Sequence, residues 1–213
     1  SAFTWRWGEG SARVRLPLAG RHNIYNFLAA AGAAMRLGVA PGMIAEAAGD
    51  LAGVPGRLER VDEGQDFVAF VDYAHSDDAL EKVLKSLKQL EGRSIILVFG
   101  CGGDRDRTKR PAMAKVAEKM ADFVVVTSDN PRSEEPLAII EDIKVGFNSA
   151  AKYAVEPDRR KAIVRAVREA GPGDILLIAG KGHETYQIFA DGVTHFDDRE
   201  ELRTAIRAKL ERK

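Results

Sequence analysis

The feature that most constrains the fold is an alternation, from about residue 67 onward, of short apolar segments with amphipathic ones. The apolar segments include FVAFVD, SIILVFG, FVVVTS and DILLIAG, and each of the first three precedes a segment with helical periodicity. Continuous apolar strands separated by helices are typical of a parallel sheet covered on both faces. We therefore predict an α/β fold with a mostly parallel sheet and helices on both faces.

The first 56 residues have a different pattern. The segment FTWRWGEGSARVRLPL predicts two strands joined by a glycine turn, and two helices are predicted over 22–38 and 40–53. Two strands and two helices are too little to bury a core comfortably. We therefore expect residues 1–56 to be the end of a domain whose beginning lies upstream, with a linker at GVPGR and a second domain over 57–213.

Composition excludes several classes of partner. The 32 Lys and Arg residues balance the 32 Asp and Glu residues, so no global charge attracts the chain to nucleic acid or to an anionic membrane. No apolar run approaches the roughly 20 residues that span a bilayer. The single cysteine, Cys101, excludes an intramolecular disulfide and suits a reducing compartment. We expect a cytoplasmic protein with no nucleic-acid or membrane partner.

Polar and glycine-rich residues follow the predicted strands at one edge only. The strand exits carry DYAHSDD, GCGGDRDRTKR, SDNPR and AGKGHE, whereas the opposite ends carry bland segments such as LEGRS, KMAD and EAGPGD. In an open α/β sheet, ligands bind outside the carboxyl ends of the strands. The asymmetry therefore predicts a binding site at this edge.

Each of these segments also has a purely structural explanation. Asp129 and Asn130 could begin the following helix, and Glu184 could form a surface ion pair with Lys181. Four cations lie where a further helix is predicted to start, and cations are disfavoured at a helix N-terminus unless an anion lies there. These cations favour a carboxylate or phosphate ligand near the first of them; they are Arg105, Arg107, Lys109 and Arg110.

Six segments of the chain, taken in order, carry a family resemblance. They are GRHNIYNFLAA, GVPGRLERV, VDYAHSDDALEKVL, VFGCGGDRDRTKRPAMAKVA, TSDNPRSEEP and AGKGHETYQIF. Together they resemble the motifs of the Mur ligases, over essentially the whole chain. The resemblance implies the C-terminal end of a central ATPase domain over 1–56 and a Rossmann-like C-terminal domain over 57–213.

The resemblance also implies roles for individual residues. The positions implied to lie near ATP are Asn23, Asn26, Arg57, Asp72 and His75. The positions implied to hold the incoming amino acid are Arg105, Asp129, Asn130, Arg132, Gly180 and Glu184. Within the family, DNPR is typical of members that add meso-2,6-diaminopimelate rather than lysine. The extra carboxylate of diaminopimelate suits a planar guanidinium, which can bind it bidentately, and the distal ammonium suits a carboxylate.

The implied activity is ATP-dependent formation of an amide bond, through an acyl phosphate, between diaminopimelate and the UDP-MurNAc-dipeptide. ATP and Mg²⁺ are the implied cofactors. The chain has no G-x-x-x-x-G-K-[ST] loop, so the magnesium ligands and the site for the UDP-linked substrate are expected in a segment upstream. No residue here is predicted to ligate a metal or to perform catalysis, and the chain alone is expected to be inactive. Asp77 departs from the family pattern, which usually has proline there.

Two other classes of function share parts of the pattern. A non-catalytic module that binds nucleotide or amino acid would also lack the phosphate-binding loop, and it remains the alternative. A dinucleotide-dependent oxidoreductase would need a complete G-x-G-x-x-G and an acidic residue about 20 positions further on. GCGGDRD lacks these features, so the sequence argues against an oxidoreductase.

Overall fold

The structure, a computed structural model, describes residues 1–8, 10–18, 20–51, 53–90, 94–148 and 152–212, with the exception of the side chain of residue 22. The chain divides into two compact units, Ser1–Val54 and Pro55–Lys213. Within the described ranges, no helix combines the length and the apolar character needed to traverse a lipid bilayer.

The first unit contains a hairpin and two helices. Strands β1 (Ala2–Trp7) and β2 (Gly10–Arg15) pair antiparallel, and helix α1 spans Arg21–Arg36. Helix α2 covers only Pro41–Ala47 and passes into a short 3-10 turn, Ala48–Asp50. It is therefore shorter than the predicted 40–53, because glycine and aspartate, both poor helix formers, follow its last turn. Residue 52 of that prediction lies outside the described residues.

A small apolar core holds the first unit together. The Phe27 ring lies 5.5 Å from the ring of Phe3 and 5.3 Å from that of Trp5, in both cases edge to face. Val14 on β2 and Leu16, the residue directly after β2, are buried in the same cluster. Alternate residues of this segment therefore bury one face.

The second unit is built on a six-stranded sheet. Its strands lie in the order β3-β4-β8-β5-β6-β7, and all neighbours are parallel except the edge strand β3. The strands are β3 (Glu59–Val61), β4 (Val68–Asp72), β5 (Ile95–Phe99), β6 (Phe123–Val126), β7 (Tyr153–Val155) and β8 (Ile175–Ala179). β3 was not predicted, because three residues are too few to show a period.

Helices cover both faces of this sheet, as predicted. Helices α6 (Arg159–Glu169) and α7 (Asp198–Leu210) pack against strand residues such as Ile96 and Val98. Leu97 and Phe99 are also fully buried, and by alternation along the strand they face the other side. That side is covered by three helices that pack in sequence, α3 (Asp77–Leu87), α4 (Lys109–Met120) and α5 (Pro136–Lys144).

Two details outside the sheet complete the unit. The Asp-Gly pair in TYQIFADGVTHF, Asp191-Gly192, predicts a hairpin. The hairpin is present, as β9 (Tyr186–Phe189) and β10 (Gly192–His195). The periodicity of DDALEKVLKSLKQL predicts that Leu90 shares one helical face with Leu80, Leu84 and Leu87, and for Leu90 this was wrong. The helix ends at Leu87, so Leu90 falls off the helical face and is exposed.

The strand order brings the four polar segments to one edge. β4, β8, β5 and β6 are consecutive neighbours and parallel, so their carboxyl ends lie side by side. The segments DYAHSDD, AGKGHE, GCGGDRDRTKR and SDNPR begin at these four ends.

Candidate functional site

The loops that follow β5 and β6 lie against each other, backbone to backbone. The amide of Gly103 donates to the carbonyl of Asn130 at 2.9 Å. A Cβ on Gly103 would lie 1.8 Å from the carbonyl oxygen of Pro131, and one on Gly100 would lie 2.3 Å from that of Thr127. These glycines are therefore needed for the close approach of two protein loops.

Two predicted substrate residues converge where these loops meet. A Cβ on Gly102 would lie 2.8 Å from Nη1 of Arg132 and 3.7 Å from Cγ of Arg105. Arg132 Nη1 donates to the Gly103 carbonyl at 2.9 Å, and Arg105 Nη1 donates to the Asp104 carbonyl at 3.0 Å. Among the described carboxylates, none forms an ion pair with either guanidinium. We call Arg105 and Arg132 the arginine side of the site.

The backbone of Arg132 adopts a conformation that is uncommon for a residue with a side chain. Its φ is 55°, in the left-handed region, and its amide donates to the carbonyl of Ile188 on β9 at 3.0 Å. Asp104, in the facing loop, has a φ of 54°. Such conformations persist only where surrounding contacts impose them, and they concentrate at binding sites.

A network of ion pairs supports the loops that carry Arg105 and Arg132. The Arg110 guanidinium is fully buried and binds both oxygens of Glu134, at 3.0 and 2.8 Å, and Asp142 at 2.8 Å. Arg107 binds Glu134 at 2.8 Å. The hydrogen bonds from Arg110, the Asp104 amide and Arg107 lower the pKa of Glu134 to about 2.

This network corrects one inference from the sequence. The cations at the start of α4 were taken to favour an anionic ligand, but Arg107 and Arg110 have carboxylates of the protein as partners. Lys109 Nζ donates to the carbonyl of His75 at 3.1 Å. Of these four cations, only Arg105 still favours an anionic ligand.

Asp104 forms a second link between the two loops. Its carboxylate accepts from the Ser133 hydroxyl at 2.6 Å and from the Ser133 amide at 3.2 Å, and these bonds lower the pKa of Asp104. Its own amide donates to Glu134 at 2.7 Å. The loops that carry Arg105 and Arg132 are thus tied together on both sides of the glycine contact.

Two more of the residues predicted to hold the incoming amino acid carry carboxylates, Asp129 and Glu184. We call these two residues the carboxylate side of the site. Asn130 Nδ2 donates to Glu184 Oε2 at 2.9 Å, so the loop after β6 meets the loop after β8. Both carboxylates lie near the Lys181 ammonium, at 3.9 Å for Asp129 and 3.3 Å for Glu184. Lys181 is fully buried. The surface ion pair considered from the sequence is therefore excluded.

The helix-start explanation for Asp129 and Asn130 is also excluded. Helix α5 begins at Pro136, and its N-cap residue is Glu135, five residues beyond Asn130. Gln187 Nε2 on β9 donates to the Asp129 carbonyl at 2.8 Å, which holds this segment against the hairpin.

Gly180 sits where a side chain would displace Asp129. Its φ is 123°, and a Cβ there would lie 2.6 Å from Asp129 Oδ2. Beneath it, the fully buried Arg159 donates to the carbonyls of Ser128 at 3.2 Å and Ala179 at 3.0 Å. Asp198 binds the same guanidinium through both oxygens, each at 2.7 Å. Arg159 therefore holds the ends of β6 and β8 at a fixed separation.

The residues predicted near ATP fall into three settings. Asp72 is buried, and its two oxygens accept from the amides of Leu58 at 2.7 Å and Ala74 at 2.8 Å, which is a structural role. Arg57 is exposed and lies 4.8 Å above the ring of Tyr73. The ring of His75 is 4.6 Å from Tyr73.

The remaining two of these residues, Asn23 and Asn26, lie on α1 in the first unit. Asn26 Nδ2 donates to Asn23 Oδ1 at 3.3 Å. The structure thus brings together the six predicted amino-acid residues, and it groups Arg57 and His75 around one aromatic ring in the same unit.

Sequence reasoning missed several residues that shape the site. Tyr73 and Lys181 lay inside segments that had been singled out, but a polar motif does not show which of its members turns inward. Arg159 and Asp198 are 39 residues apart, and nothing in their local pattern marks them as a pair. The position of Arg159 at the start of a helix, where cations are disfavoured, was the available signal.

Metal ligands do not cluster in the described part of the chain. No group of three or more His, Cys, Asp or Glu side chains there is arranged to hold a metal ion. These residues therefore do not fit a magnesium site.

Comparison with known proteins gives consistent matches. The family profile described as "Mur ligase, glutamate ligase domain" matches residues 56–182. A curated relative from Solibacter usitatus, named UDP-N-acetylmuramoyl-L-alanyl-D-glutamate–2,6-diaminopimelate ligase, is 52% identical over 91% of this chain and 40% of its own length. A relative of the same name from Syntrophomonas wolfei is 49% identical over 99% of this chain and 43% of its own length.

A solved structure gives the same result. A structure titled as a UDP-N-acetylmuramoyl-L-alanyl-D-glutamate–2,6-diaminopimelate ligase superimposes with a TM-score of 0.76 at 42% identity, over 98% of this chain and 43% of that one. The chain thus spans about two fifths of the length of the curated relatives it matches. Because the family profile matches more than half of its residues, the chain belongs to the Mur ligase family.

Proposed function

We propose that this chain is the amino-acid-binding part of an ATP-dependent ligase of peptidoglycan precursor synthesis. In the full-length protein it adds meso-2,6-diaminopimelate to UDP-MurNAc-L-Ala-D-Glu in the cytoplasm, with formation of ADP and phosphate. Residues 1–56 end the central ATPase domain in this proposal, and 57–213 form the C-terminal domain. Names of relatives at about 50% identity support the activity.

The observation that carries the proposal is the separation of positive and negative side chains at the carboxyl ends of the parallel strands. Arg105 and Arg132 offer guanidinium groups that form no ion pair with a described carboxylate within 4.0 Å. At the same edge, Asp129 on the loop after β6 and Glu184 on the loop after β8 outnumber the single cation between them, Lys181. An amino acid with a carboxylate and an ammonium at its distal end satisfies both sides, through charge-assisted hydrogen bonds.

Each residue has a stated task in this proposal. Arg132 binds the distal carboxylate of diaminopimelate, and Arg105 binds a carboxylate beside it. Glu184 and Asp129 bind the distal ammonium, and Gly180 leaves room for Asp129 to turn toward it. The amine at the other end of the molecule is then free to attack the acyl phosphate, which forms in the part of the site outside this chain.

ATP contacts are proposed for Arg57 and His75, which flank Tyr73, and for Asn23 and Asn26. Asp72 contributes indirectly, because its carboxylate accepts from the amide of Leu58, next to Arg57, and from the amide of Ala74, between Tyr73 and His75. Mg²⁺, when bound, would stabilise the transferring phosphoryl group.

Titration calorimetry of the full-length protein with meso-diaminopimelate and with L-lysine tests the proposal. We expect diaminopimelate to bind more tightly, and Arg132→Ala to weaken its binding by about tenfold to a hundredfold, because a hydrogen bond between charged groups is lost. Arg165→Ala, at an exposed position on α6, is the matched control and should change nothing. Equal affinity of the wild-type protein for lysine would contradict the proposal.

A further inference from the structure

Lys181 is a buried cation to which no role has yet been assigned. Its side chain is fully shielded from solvent, although it lies between two carboxylates of the site. Nζ is 3.0 Å from Asn130 Oδ1, 3.3 Å from Glu184 Oε2 and 3.9 Å from Asp129 Oδ1, and it lies 5.6 Å from the centre of the Tyr186 ring. A fully buried lysine is rare unless it is paired, so this arrangement is specific.

The first consequence concerns the orientation of Asn130. Its Oδ1 accepts from Lys181 Nζ at 3.0 Å and from the amide of Ile188 at 3.0 Å. Both of these groups are donors only, so the side of the amide that faces them must be the oxygen. The Nδ2 group is therefore turned toward Glu184, to which it donates at 2.9 Å.

The second consequence concerns Glu184. Its Oε2 accepts from both Asn130 and Lys181, which fixes the plane of the carboxylate. Oε1 has no hydrogen-bond partner within the described residues. Lys181 thus holds one oxygen of Glu184, while the other stays available for a ligand.

The third consequence concerns charge. Around Lys181 lie Asp129 on the loop after β6, Glu184 on its own loop, Arg159 on α6 and Asp198 on α7. Arg159 and Asp198 neutralise each other as a buried pair. Two carboxylates and one ammonium remain, so the pocket keeps one uncompensated negative charge. One negative charge in the pocket is balanced by a ligand that places a single ammonium group there.

We propose that Lys181 is a positioning residue that determines recognition of the substrate ammonium, by orienting Asn130 and Glu184 and by reducing the negative charge of the pocket to one. The inference rests on the proposed function. Lys181 does not act as a base toward the attacking amine, because Nζ is buried and its hydrogen bonds go to Asn130 and Glu184. Burial lowers the pKa of Lys181, and the carboxylates of Asp129 and Glu184 oppose that shift.

Steady-state kinetics of the full-length protein with Lys181→Met tests the inference. Methionine keeps the length of the stem and removes the charge and the donors. We expect the KM for diaminopimelate to rise by about tenfold or more, because the partner of two polar groups is lost. The KM for ATP should stay close to that of the wild type, even though removal of a buried cation lowers the stability of the fold. Lys85→Met, at an exposed position on α3, is the matched control.

The outcomes are distinct. A selective rise in the KM for diaminopimelate supports the inference. An unchanged KM in the folded variant overturns it, and so does an equal rise in the KM of every substrate, because that result indicates general structural damage. If Lys181→Met does not fold, Lys181→Gln carries the same comparison. Failure of the proposed function would appear earlier, as a wild-type protein that does not use diaminopimelate.

Discussion

The two sides of the site are each built on a fully buried arginine, but the two arginines are anchored differently. Arg110, below the arginine side, binds Glu134 and Asp142, whose side chains are 18% and 41% exposed. Arg159, below the carboxylate side, binds Asp198, which is 0% exposed. One anchor therefore reaches solvent and the other is sealed. We infer that the carboxylate side is the more rigid half, and that the arginine side responds to pH and salt.

The largest effect is expected from breaking the sealed anchor. Arg159→Met leaves Asp198 buried without its partner, and loss of one member of a buried pair costs about 3–5 kcal/mol. Urea denaturation of the chain, followed through the second unit, measures this. The adjacent Arg160→Met is the control, because Arg160 is exposed.

A double variant sharpens the first prediction. Arg159→Met combined with Asp198→Leu removes both charges together, and apolar replacements of a buried pair are often close to neutral. We therefore expect much of the lost stability to return. A double variant as unstable as Arg159→Met would show that the carbonyls of Ser128 and Ala179, rather than the ion pair, need the guanidinium.

The next effect concerns ligand binding on the carboxylate side. Gly180→Ala places a methyl group against Asp129 in a backbone conformation that L-residues rarely adopt. We expect binding of diaminopimelate to weaken by roughly 2 kcal/mol, or about 30-fold, as measured by calorimetry on the full-length protein. Gly192→Ala is the control, because its φ is also positive but nothing lies within 4 Å. Similar losses in both variants would contradict the role given to Asp129.

A smaller effect is expected when the pH is lowered, because the ion pairs of Glu134 below the arginine side contribute to the free energy of unfolding. The pKa of Glu134 in the folded protein is about 2, below its ordinary value of 4.5. The ionised carboxylate therefore stabilises the fold above pH 4.5, and this contribution is lost as the pH falls toward 2. After allowance for solvent screening we expect it to be about 1–2 kcal/mol at neutral pH.

Glu134→Gln provides the comparison for this prediction. Its unfolding free energy should lie below that of the wild type at pH 7, and the difference should shrink steadily as the pH is lowered below 4.5. The same variant should change little on the sealed side, where Arg159 and Asp198 are out of reach of solvent. A difference that does not vary with pH would remove the electrostatic explanation.

The smallest effect is expected from Arg107, which shares Glu134 with Arg110 but is 64% exposed. Arg107→Ala should cost less than about 1 kcal/mol, because exposed ion pairs are weak. Thermal unfolding in low and high salt measures it, with Arg110→Met as the buried counterpart. A loss equal to that of Arg110→Met would mean that the network acts as one unit.

The sequence predicted those parts of the molecule that depend on local pattern. The parallel strands, the helices on both faces, the hairpin and the clustering of motifs at one edge followed from periodicity and from the order of strands and helices. What the sequence could not show was which polar residues turn inward. Lys181 and Glu184 looked like a surface pair, and only the position of the loop after β8 against Asn130 buries the lysine.

The errors have the same physical origin. Arg107 and Arg110 at the start of α4 were read without their carboxylate partners, which lie 24 to 35 residues further along the chain. The glycines after β5 were linked to no particular contact, whereas their neighbours are backbone atoms of the loop after β6. Long-range pairs of this kind depend on tertiary packing, and a local pattern does not contain them.

The hairpin of β9 and β10 gives a practical way to observe the site. Ile188 exchanges hydrogen bonds with both Arg132 and Asn130, so any ligand that tightens this segment should also slow hydrogen exchange at the Ile188 amide. Val193, on the outer strand, is exposed and pairs with Ile188 across the hairpin. A fluorescent label at that position would signal occupancy from outside, without a chromogenic substrate and without altering any residue that the amino acid touches.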